Sequence, residues 1–164
     1  MSSFQIDTSG IDALAKRMDG APAIVNAELL TAIRGVGLDA ERYGKANLTA
    51  VGAIDRGQLR RAVTSTASAI GTGAQAILGV KLPYARPVEE GRRAGATLPP
   101  TAPIAAWLGR HGGDPKRAFV VARSIGRRGI RARPYLKPAA ERAVRESGRH
   151  MQPAIDRIRA RLLG

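Results

Sequence analysis

The chain has 164 residues, no cysteine and a formal net charge of +14, and its length fits a single domain covering residues 1–164. The lack of cysteine excludes disulfides and thiolate metal sites, and no apolar run reaches the length of about 18 residues that a membrane-spanning helix needs. The first residues also lack the basic-then-apolar order of a signal peptide, so none is expected.

The excess positive charge is concentrated in one part of the chain. Residues 81–137 hold 13 Lys and Arg against three acidic residues, whereas residues 1–80 hold eight against seven and residues 138–164 hold six against three. A general bias of composition would affect all three parts. The clustering therefore favours a surface for polyanions, either nucleic acid or an acidic protein, over a merely solvated face.

The first third of the chain predicts helices. Residues 4–6 are compatible with a strand, and residues 11–18 with a short helix that Asp19-Gly20 ends. Pro22 suits the first turn of a second, longer helix. Apolar residues then recur every three or four positions, which predicts that this helix runs to about Leu48.

The next segment predicts a β-hairpin. Residues 59–70 alternate small polar and apolar side chains, Gly71-Thr72-Gly73 is a turn signal, and residues 74–80 alternate again. A two-stranded ribbon is marginal alone, so it needs the long helix, further strands or a neighbouring subunit to cover it. Gly35 and Gly37 in the long helix either allow another backbone to come close or are simply tolerated there.

After the hairpin the sequence predicts a basic excursion, residues 92–133, made of loops and two short helices. Residues 101–108 form the first, with Trp107 as its anchor to the body. Asp114-Pro115 is a cap followed by proline and begins the second. Residues 126–133 are predicted to be a basic loop that leads into the last helix.

The last helix is predicted to start near Pro138 and to be kinked or split at Pro153. The resulting fold class is α+β, with a long helix in the N-terminal half and a C-terminal helix packed on a small antiparallel β-sheet. The apolar stripe predicted to be buried on the last helix consists of Ala140, Val144, Gly148, Met151, Ile155, Ile158 and Leu162.

Two short segments, Leu82–Gly91 and Ala132–Ala139, flank the basic excursion. Each contains one tyrosine, Tyr84 in the first and Tyr135 in the second, and a buried tyrosine needs packing for its ring and a partner for its hydroxyl. The first segment predicts a helical turn that Gly91 ends in a left-handed conformation. We expect the two tyrosines to pack near each other, between the hairpin and the last helix.

The pattern Tyr-Ala-x-x-Val-Glu-x-Gly, a basic loop, and Arg-Pro-Tyr-Leu-x-Pro-Ala before a C-terminal helix resembles the neck or tail-completion proteins of long-tailed bacteriophages, a family of head–tail joining and minor tail components. The likeness covers most of the chain, and many members have Phe at the second tyrosine. The matching residues are Tyr84, Ala85, Val88, Glu89, Gly91, Pro134, Tyr135, Leu136, Pro138 and Ala139.

The resemblance implies a structural virion protein. Its copies would form a ring, with six subunits the usual number, between the head connector and the tail-terminator or tail-tube proteins. Double-stranded DNA would pass through or stop in the lumen. The protein would be assembled in the host cytoplasm and would reside in the neck or tail of the virion.

No group of residues in the sequence indicates catalysis, so we expect neither an enzyme nor a bound metal or cofactor. The chain has two histidines, His111 and His150, and neither lies in a zinc-binding pattern. Glu89 and Glu90 are adjacent, whereas acid–base chemistry needs two carboxylates on opposite sides of a substrate. We expect Glu89 instead to meet an arginine, within the fold or across a subunit boundary.

The alternative function is that of a free, sequence-nonspecific nucleic-acid-binding protein. A reader of single strands needs aromatic side chains among its arginines, but the two within the excursion, Trp107 and Phe119, stand at predicted helix-core positions. A simple phosphate binder stays possible. In either function, the residues expected to contact DNA or an acidic partner are Arg92, Arg93, Arg123, Arg127, Arg128, Arg131 and Arg133.

Overall fold

The structure is a computed structural model that describes the backbone of residues 9–53, 55–71 and 73–163, with their side chains from residue 19 onward. The predicted strand at residues 4–6 lies outside this part. The elements in chain order are α1 (Ser9–Ala50), α2 (Gln58–Ala62), β1 (Val63–Ile70), β2 (Gly73–Val80), α3 (Ala85–Glu90), α4 (Thr101–Arg110), α5 (Ala118–Arg128), α6 (Leu136–Arg145) and α7 (Gly148–Leu163). The fold class is α+β, as predicted.

The long helix α1 is the element on which the rest of the body packs. Its 42 residues span about 63 Å at 1.5 Å per residue, and both strands, α6 and α7 contact it. It continues through Asp19-Gly20 and Pro22, so the predicted break and the predicted start at Pro22 are wrong. Pro22 is exposed, so water can bond the carbonyl that lacks an N–H partner one turn earlier.

The predicted hairpin is confirmed. Strands β1 and β2 pair antiparallel, from Val63 opposite Val80 to Ile70 opposite Gly73. The four residues before β1 do not extend the strand, because residues 58–62 form the short helix α2. Among the described residues no third strand pairs with either edge.

One face of the hairpin lies along α1. The Ser65 amide donates to Glu41 Oε2 at 2.9 Å, and the Asn26 amide group of α1 donates to the Gly71 carbonyl at the hairpin turn. A Cβ added at Gly37 would lie 3.1 Å from Oγ of Ser65 on β1 and 3.2 Å from Cβ of Ala76 on β2. A Cβ added at Gly35 would lie 2.5 Å from Nδ1 of His150. Both glycines therefore leave room for neighbouring elements and are not merely tolerated, although the atoms that approach are side chains and not another backbone.

The predicted C-terminal helix is divided, but not at the predicted residue. It consists of α6 and α7, separated after Arg145, whereas Pro153 lies inside α7. The chain turns at Glu146-Ser147, just before Gly148 begins α7, and serine and glycine side by side lower helix propensity there. Pro153 is exposed, so the carbonyl it leaves without a partner can be hydrated.

The buried side of these helices is also displaced from the predicted stripe. Val144 and Ile155 are exposed, whereas Ala139, Ala143 and Ala154 are buried. Ala139 and Ala143 pack directly against α1, where the bulk at the contact comes from Tyr43. A stripe chosen by side-chain size therefore misses a contact in which small residues let two helices approach.

The excursion forms a small unit of α4, a 3₁₀ turn at Pro115–Arg117 and α5, which contact each other. The predicted cap is present, since Asp114 Oδ1 accepts from the Lys116 amide at 2.9 Å. The predicted loop at residues 126–133 is wrong over its first three residues, which belong to α5. Gly126 is not a break, because it is buried on the inner face of α5 against Leu98.

Candidate functional site

The two motif segments meet at the start of α6, through Glu89. Its Oε2 accepts hydrogen bonds from the amides of Tyr135 at 2.7 Å and Leu136 at 2.9 Å, and its Oε1 accepts one from Lys137 at 2.9 Å. The first N–H groups of a helix have no partner within the helix and carry partial positive charge. A carboxylate from the first motif therefore caps the helix of the second motif. The predicted arginine partner within the fold is wrong, whereas an arginine across a subunit boundary stays a prediction.

Tyr135 is the central side chain of the core beside this cap. It has no exposed surface and packs with Leu48, Leu59 and Val63. Burial, and then the nearby charge of Glu89, raise the pKa of Tyr135 to about 12. Its hydroxyl has no hydrogen-bond partner in the part of the chain that the structure describes.

Tyr84, the other motif tyrosine, is not buried as Tyr135 is. It is 41% exposed, and its hydroxyl donates to Gln58 Oε1 at 3.4 Å. It precedes α3, and the next residue, Ala85, takes the buried position. Tyr84 contributes to the raised pKa of Tyr135, but its ring is not part of the buried cluster around Tyr135.

The other motif residues surround the same junction. Val88 and Leu136 are half-buried and pack on the cluster around Tyr135, while Ala139 is buried against Tyr43. Pro138 is half-buried in the first turn of α6, and Pro134 is exposed just before it. The structure thus brings nearly all the motif residues together.

Two glycines, Gly91 and Gly129, lie where the excursion leaves and re-enters the body and are called the glycine pair below. Gly91 has φ 74° and ψ −168°, and Gly129 has φ 74° and ψ −167°, a region essentially restricted to glycine. Between them Arg92 and Ile130 exchange two backbone hydrogen bonds of 2.9 Å. A Cβ at Gly91 would lie 2.6 Å from the Ile130 carbonyl oxygen, and one at Gly129 would overlap that of Arg92.

The excursion is also tied to the loop before α2. Arg110 forms an ion pair with Asp55, and the hydrogen bond from Arg110, with its charge, lowers the pKa of that carboxyl despite the opposing effect of burial. A groove of about 660 Å³ lies beside this contact, and its walls include Trp107, Arg131 and Arg133. The groove is bordered by the loop that contains the undescribed residue 54.

The predicted polyanion-binding arginines do not form one cluster. Arg92 is partly buried and donates to the Thr97 carbonyl, so it holds the loop and is not a free contact. Arg93, Arg123, Arg127 and Arg128 are exposed, and Arg131 and Arg133 line the groove. Arg123 and Arg127 share the outward side of α5.

The two aromatic residues of the excursion are not core residues, contrary to the prediction. Phe119 is 57% exposed and Trp107 is 44% exposed. Trp107 stacks on His111 with 4.6 Å between ring centroids and does not anchor α4 in the body core. Phe119 follows the buried Ala118 by one residue and lies outside the buried positions of α5. Both rings are therefore accessible, and their position does not exclude binding of single strands.

Sequence reasoning missed a polar network between α1 and the α6–α7 junction. Arg149 Nη2 contacts Asp39 Oδ2 at 2.8 Å, Glu146 Oε2 at 2.9 Å and the Tyr43 hydroxyl at 2.7 Å, and His150 Nε2 lies 2.6 Å from Asp39. Hydrogen bonds from Tyr43 and then from Arg142, one turn before Glu146 on α6, lower the pKa of Glu146 to about 2. The spacing of these residues by three or four along each helix is the signal that was available.

Two further structural results concern the chemistry considered from sequence. Within the described side chains, no group of three or more His, Asp or Glu residues is placed to hold a metal ion. None of the described helices is both long and apolar enough to cross a membrane.

No protein-family model, curated protein or solved structure matches this chain. The resemblance to phage neck and tail-completion proteins therefore rests on the motif residues and on how they are arranged.

Proposed function

We propose that this protein is a structural component of the neck or tail of a long-tailed bacteriophage, where copies of the chain form a ring of six, the usual number in the family it resembles, that joins the head connector to the tail. The observation that carries the proposal is the contact between the two motifs through Glu89. Residues that hold one another in place are expected to occur together, so this contact supports treating the two stretches as one family signature.

The hairpin supports self-assembly. Its outer face carries Ile77, which is 58% exposed, and the exposed Ile70, and both strand edges lack a partner strand among the described residues. Exposed edges and apolar faces favour association with another chain. A contact between different surfaces of identical subunits closes a ring when its rotation divides a full turn.

The basic excursion supports a position at a joint. Arginines facing the lumen would neutralise phosphates of passing double-stranded DNA without reading bases, and arginines facing outward would contact the connector, the tail-terminator or the tail-tube proteins. This role needs no catalysis and places the protein in the virion after assembly in the host cytoplasm.

The ring is tested with Ile77→Asp. We expect the purified wild-type chain to form a closed oligomer by light scattering and electron microscopy, and the variant to dissociate because a charge replaces apolar surface at the contact. The matched control is Val144→Asp, which makes the same kind of change at an exposed aliphatic residue outside the hairpin, on α6. It should leave the oligomer intact. In particles, Ile77→Asp should give filled heads without tails; normal joined particles would overturn the proposal.

A second candidate function, that of a free sequence-nonspecific DNA-binding protein, is favoured by a separate observation. Arg123, Arg127, Arg128 and Arg131 form no ion pair with any described residue. If this function is correct, the chain stays monomeric and binds unrelated duplexes equally, with an affinity that falls steeply as salt rises. A stable ring in the absence of DNA would argue against it.

A further inference from the structure

The outward face of α5 combines two apolar and two basic side chains. Buried Ala118, Ala122 and Gly126 define the inner face of the helix. At 100° per residue, Phe119, Arg123, Arg127 and Val120 follow one another around the helix as one continuous strip beside the inner face, with the apolar residues at its borders and the arginines between them. Phe119 and Val120 are 57% and 59% exposed, so the strip is available to a partner.

We propose that this strip is a docking surface for an acidic protein surface with apolar positions, and not for DNA. Because the strip is positively charged, its partner should be negatively charged. Asp114 and Glu141 are the nearest acidic residues before and after the strip, and no acidic residue stands between them in the sequence. Neither arginine of the strip forms an ion pair with a described residue, so both charges remain available.

The apolar side chains determine the class of the partner. Arginine alone suffices to contact a phosphate backbone, and the hydrated backbone offers Phe119 and Val120 no apolar surface to bury. Protein interfaces, in contrast, have cores enriched in aromatic residues and arginine. A strip with Phe119 beside Arg123 therefore fits an acidic protein better than a duplex.

A second copy of this chain is a poor source of the acidic surface. Side chains are described for 11 of the 13 acidic residues, and eight of them already accept from an arginine, a lysine or a backbone amide. The other three, Asp19, Glu141 and Asp156, lie on three different helices. The eight engaged residues are Glu28, Asp39, Glu41, Asp55, Glu89, Glu90, Asp114 and Glu146.

The strip is presented by a fixed support. The inner face of α5 packs against Leu98 through Gly126, and the Gly95 amide donates to the Gly126 carbonyl at 2.7 Å. The glycine pair then fixes both ends of the excursion to the body. A preorganised surface loses less entropy on binding. The inference rests on the proposed function only for the identity of the partner, which would be a neighbouring head or tail protein.

Binding is tested with full-length protein and three fluorescent probes. The first is a synthetic helical peptide with a leucine stripe flanked by glutamates, the second is the same peptide with serine in place of leucine, and the third is a random-sequence DNA duplex. We expect the leucine–glutamate peptide to bind about tenfold more tightly than the serine peptide, as loss of apolar anchors costs at many interfaces.

Two double variants separate the contributions of the strip. Phe119→Ser with Val120→Ser should remove the preference for the leucine peptide, and Arg123→Gln with Arg127→Gln should weaken its binding about tenfold. The matched control is Arg145→Gln with Arg159→Gln, which removes the same charge from exposed positions on α6 and α7 and should change binding by less than about twofold. Thermal melts of all variants check that the fold is intact.

Three outcomes would overturn the inference: equal binding of both peptides, equal effects of the strip and control variants, or tighter binding of the duplex that depends on Phe119. The last would identify Phe119 as a wedge between bases. Oligomer mass measured in the same samples keeps the two proposals distinct. An intact ring without peptide preference defeats only the docking surface, and preference without a ring defeats only the proposed function.

Discussion

The arginines of the body and those of the excursion have different surroundings. In the body, Arg149 contacts two carboxylates and a tyrosine, and Arg157 contacts Glu28, whose side chain is 9% exposed. In the excursion, Arg123 and Arg127 have no acidic partner among the described residues. The same residue type therefore holds helices together in the body and, at these two positions of the excursion, remains free to bind.

This difference explains why net charge alone does not locate a functional surface. Residues 138–164 are also basic, yet four of the six arginines there, Arg142, Arg149, Arg157 and Arg161, contact side chains of α1. The excursion holds ten Lys and Arg and one acidic residue, Asp114, so its charge cannot be balanced internally. The two regions can be separated experimentally by damaging the core, the glycine pair and the cap in turn.

The largest effect is expected in the body, from Tyr135→Ala. The ring is fully buried among Leu48, Leu59 and Val63, and truncating a buried aromatic costs about 4 kcal/mol. We expect the free energy of unfolding in urea to fall by that amount. Tyr84→Ala is the matched control, and its ring is 41% exposed, so it should cost about 1 kcal/mol.

Tyr135→Phe separates the ring from the hydroxyl. The hydroxyl has no partner among the described residues, and a buried polar group without a partner is costly. The variant should equal or exceed the wild type in stability, by up to about 1 kcal/mol. A loss of more than about 1 kcal/mol would reveal a hydrogen bond to this hydroxyl and contradict the assignment.

The next effect is expected at the base of the excursion, from Gly129→Ala. The new Cβ would overlap the Arg92 carbonyl oxygen, and backbone strain with overpacking costs about 3 kcal/mol. We expect residues 92–133 to exchange amide hydrogens faster while the body is unchanged. Gly95→Ala is the control, because Gly95 has φ 78° but open space around it, and it should cost about 1 kcal/mol. Equal exchange in both variants would contradict a role for the overlap.

A smaller effect is expected at the joint between the two motifs, from Glu89→Ala. Three amides at the start of α6 would lose their acceptor, which should cost about 2 kcal/mol. Glu90→Ala is a control one residue away, because that carboxylate pairs with Arg86 at an exposed position and should contribute less than about 1 kcal/mol. Similar losses in the two variants would show that the cap is not the stabilising contact.

The sequence predicted the elements that carry strong local signals. The hairpin followed from alternation and the Gly71-x-Gly73 turn, and the start of α5 followed from Asp114-Pro115. Local rules failed at Pro22 and Pro153, which both lie inside helices. Each proline is exposed, so the carbonyl that it leaves without a partner can be hydrated, which limits its local cost.

The junction could not be predicted because it depends on contacts distant in sequence. Glu89 and the amides it caps are 46 to 48 residues apart, and no periodicity relates them. Spacing likewise could not show that Gly126 is a packing position and not a helix end. The residues of the motif were identifiable from sequence, whereas the role of Glu89 required the fold.

The smallest effect concerns pH and the polar network of the body. The hydrogen bond from Tyr43 holds the pKa of Glu146 at about 2, below the ordinary 4.5. Asp39 in the same network also has a lowered pKa: burial raises it, but the His150 hydrogen bond and the charge of Arg149 outweigh burial. A carboxyl with a depressed folded-state pKa contributes stability above its unfolded pKa and loses it as pH falls through the folded value.

The midpoint of thermal unfolding should therefore be higher for the wild type than for Glu146→Gln at neutral pH. As pH falls from about 4.5 to about 2, the two midpoints should converge, because the wild-type carboxyl becomes protonated and loses its attraction for Arg149. Glu141→Gln is the control, since Glu141 is exposed on α6 and its removal should shift the midpoint little at any pH. A constant difference between wild type and Glu146→Gln down to pH 2 would mean that the charge of Glu146 does not stabilise the packing of α7 on α1.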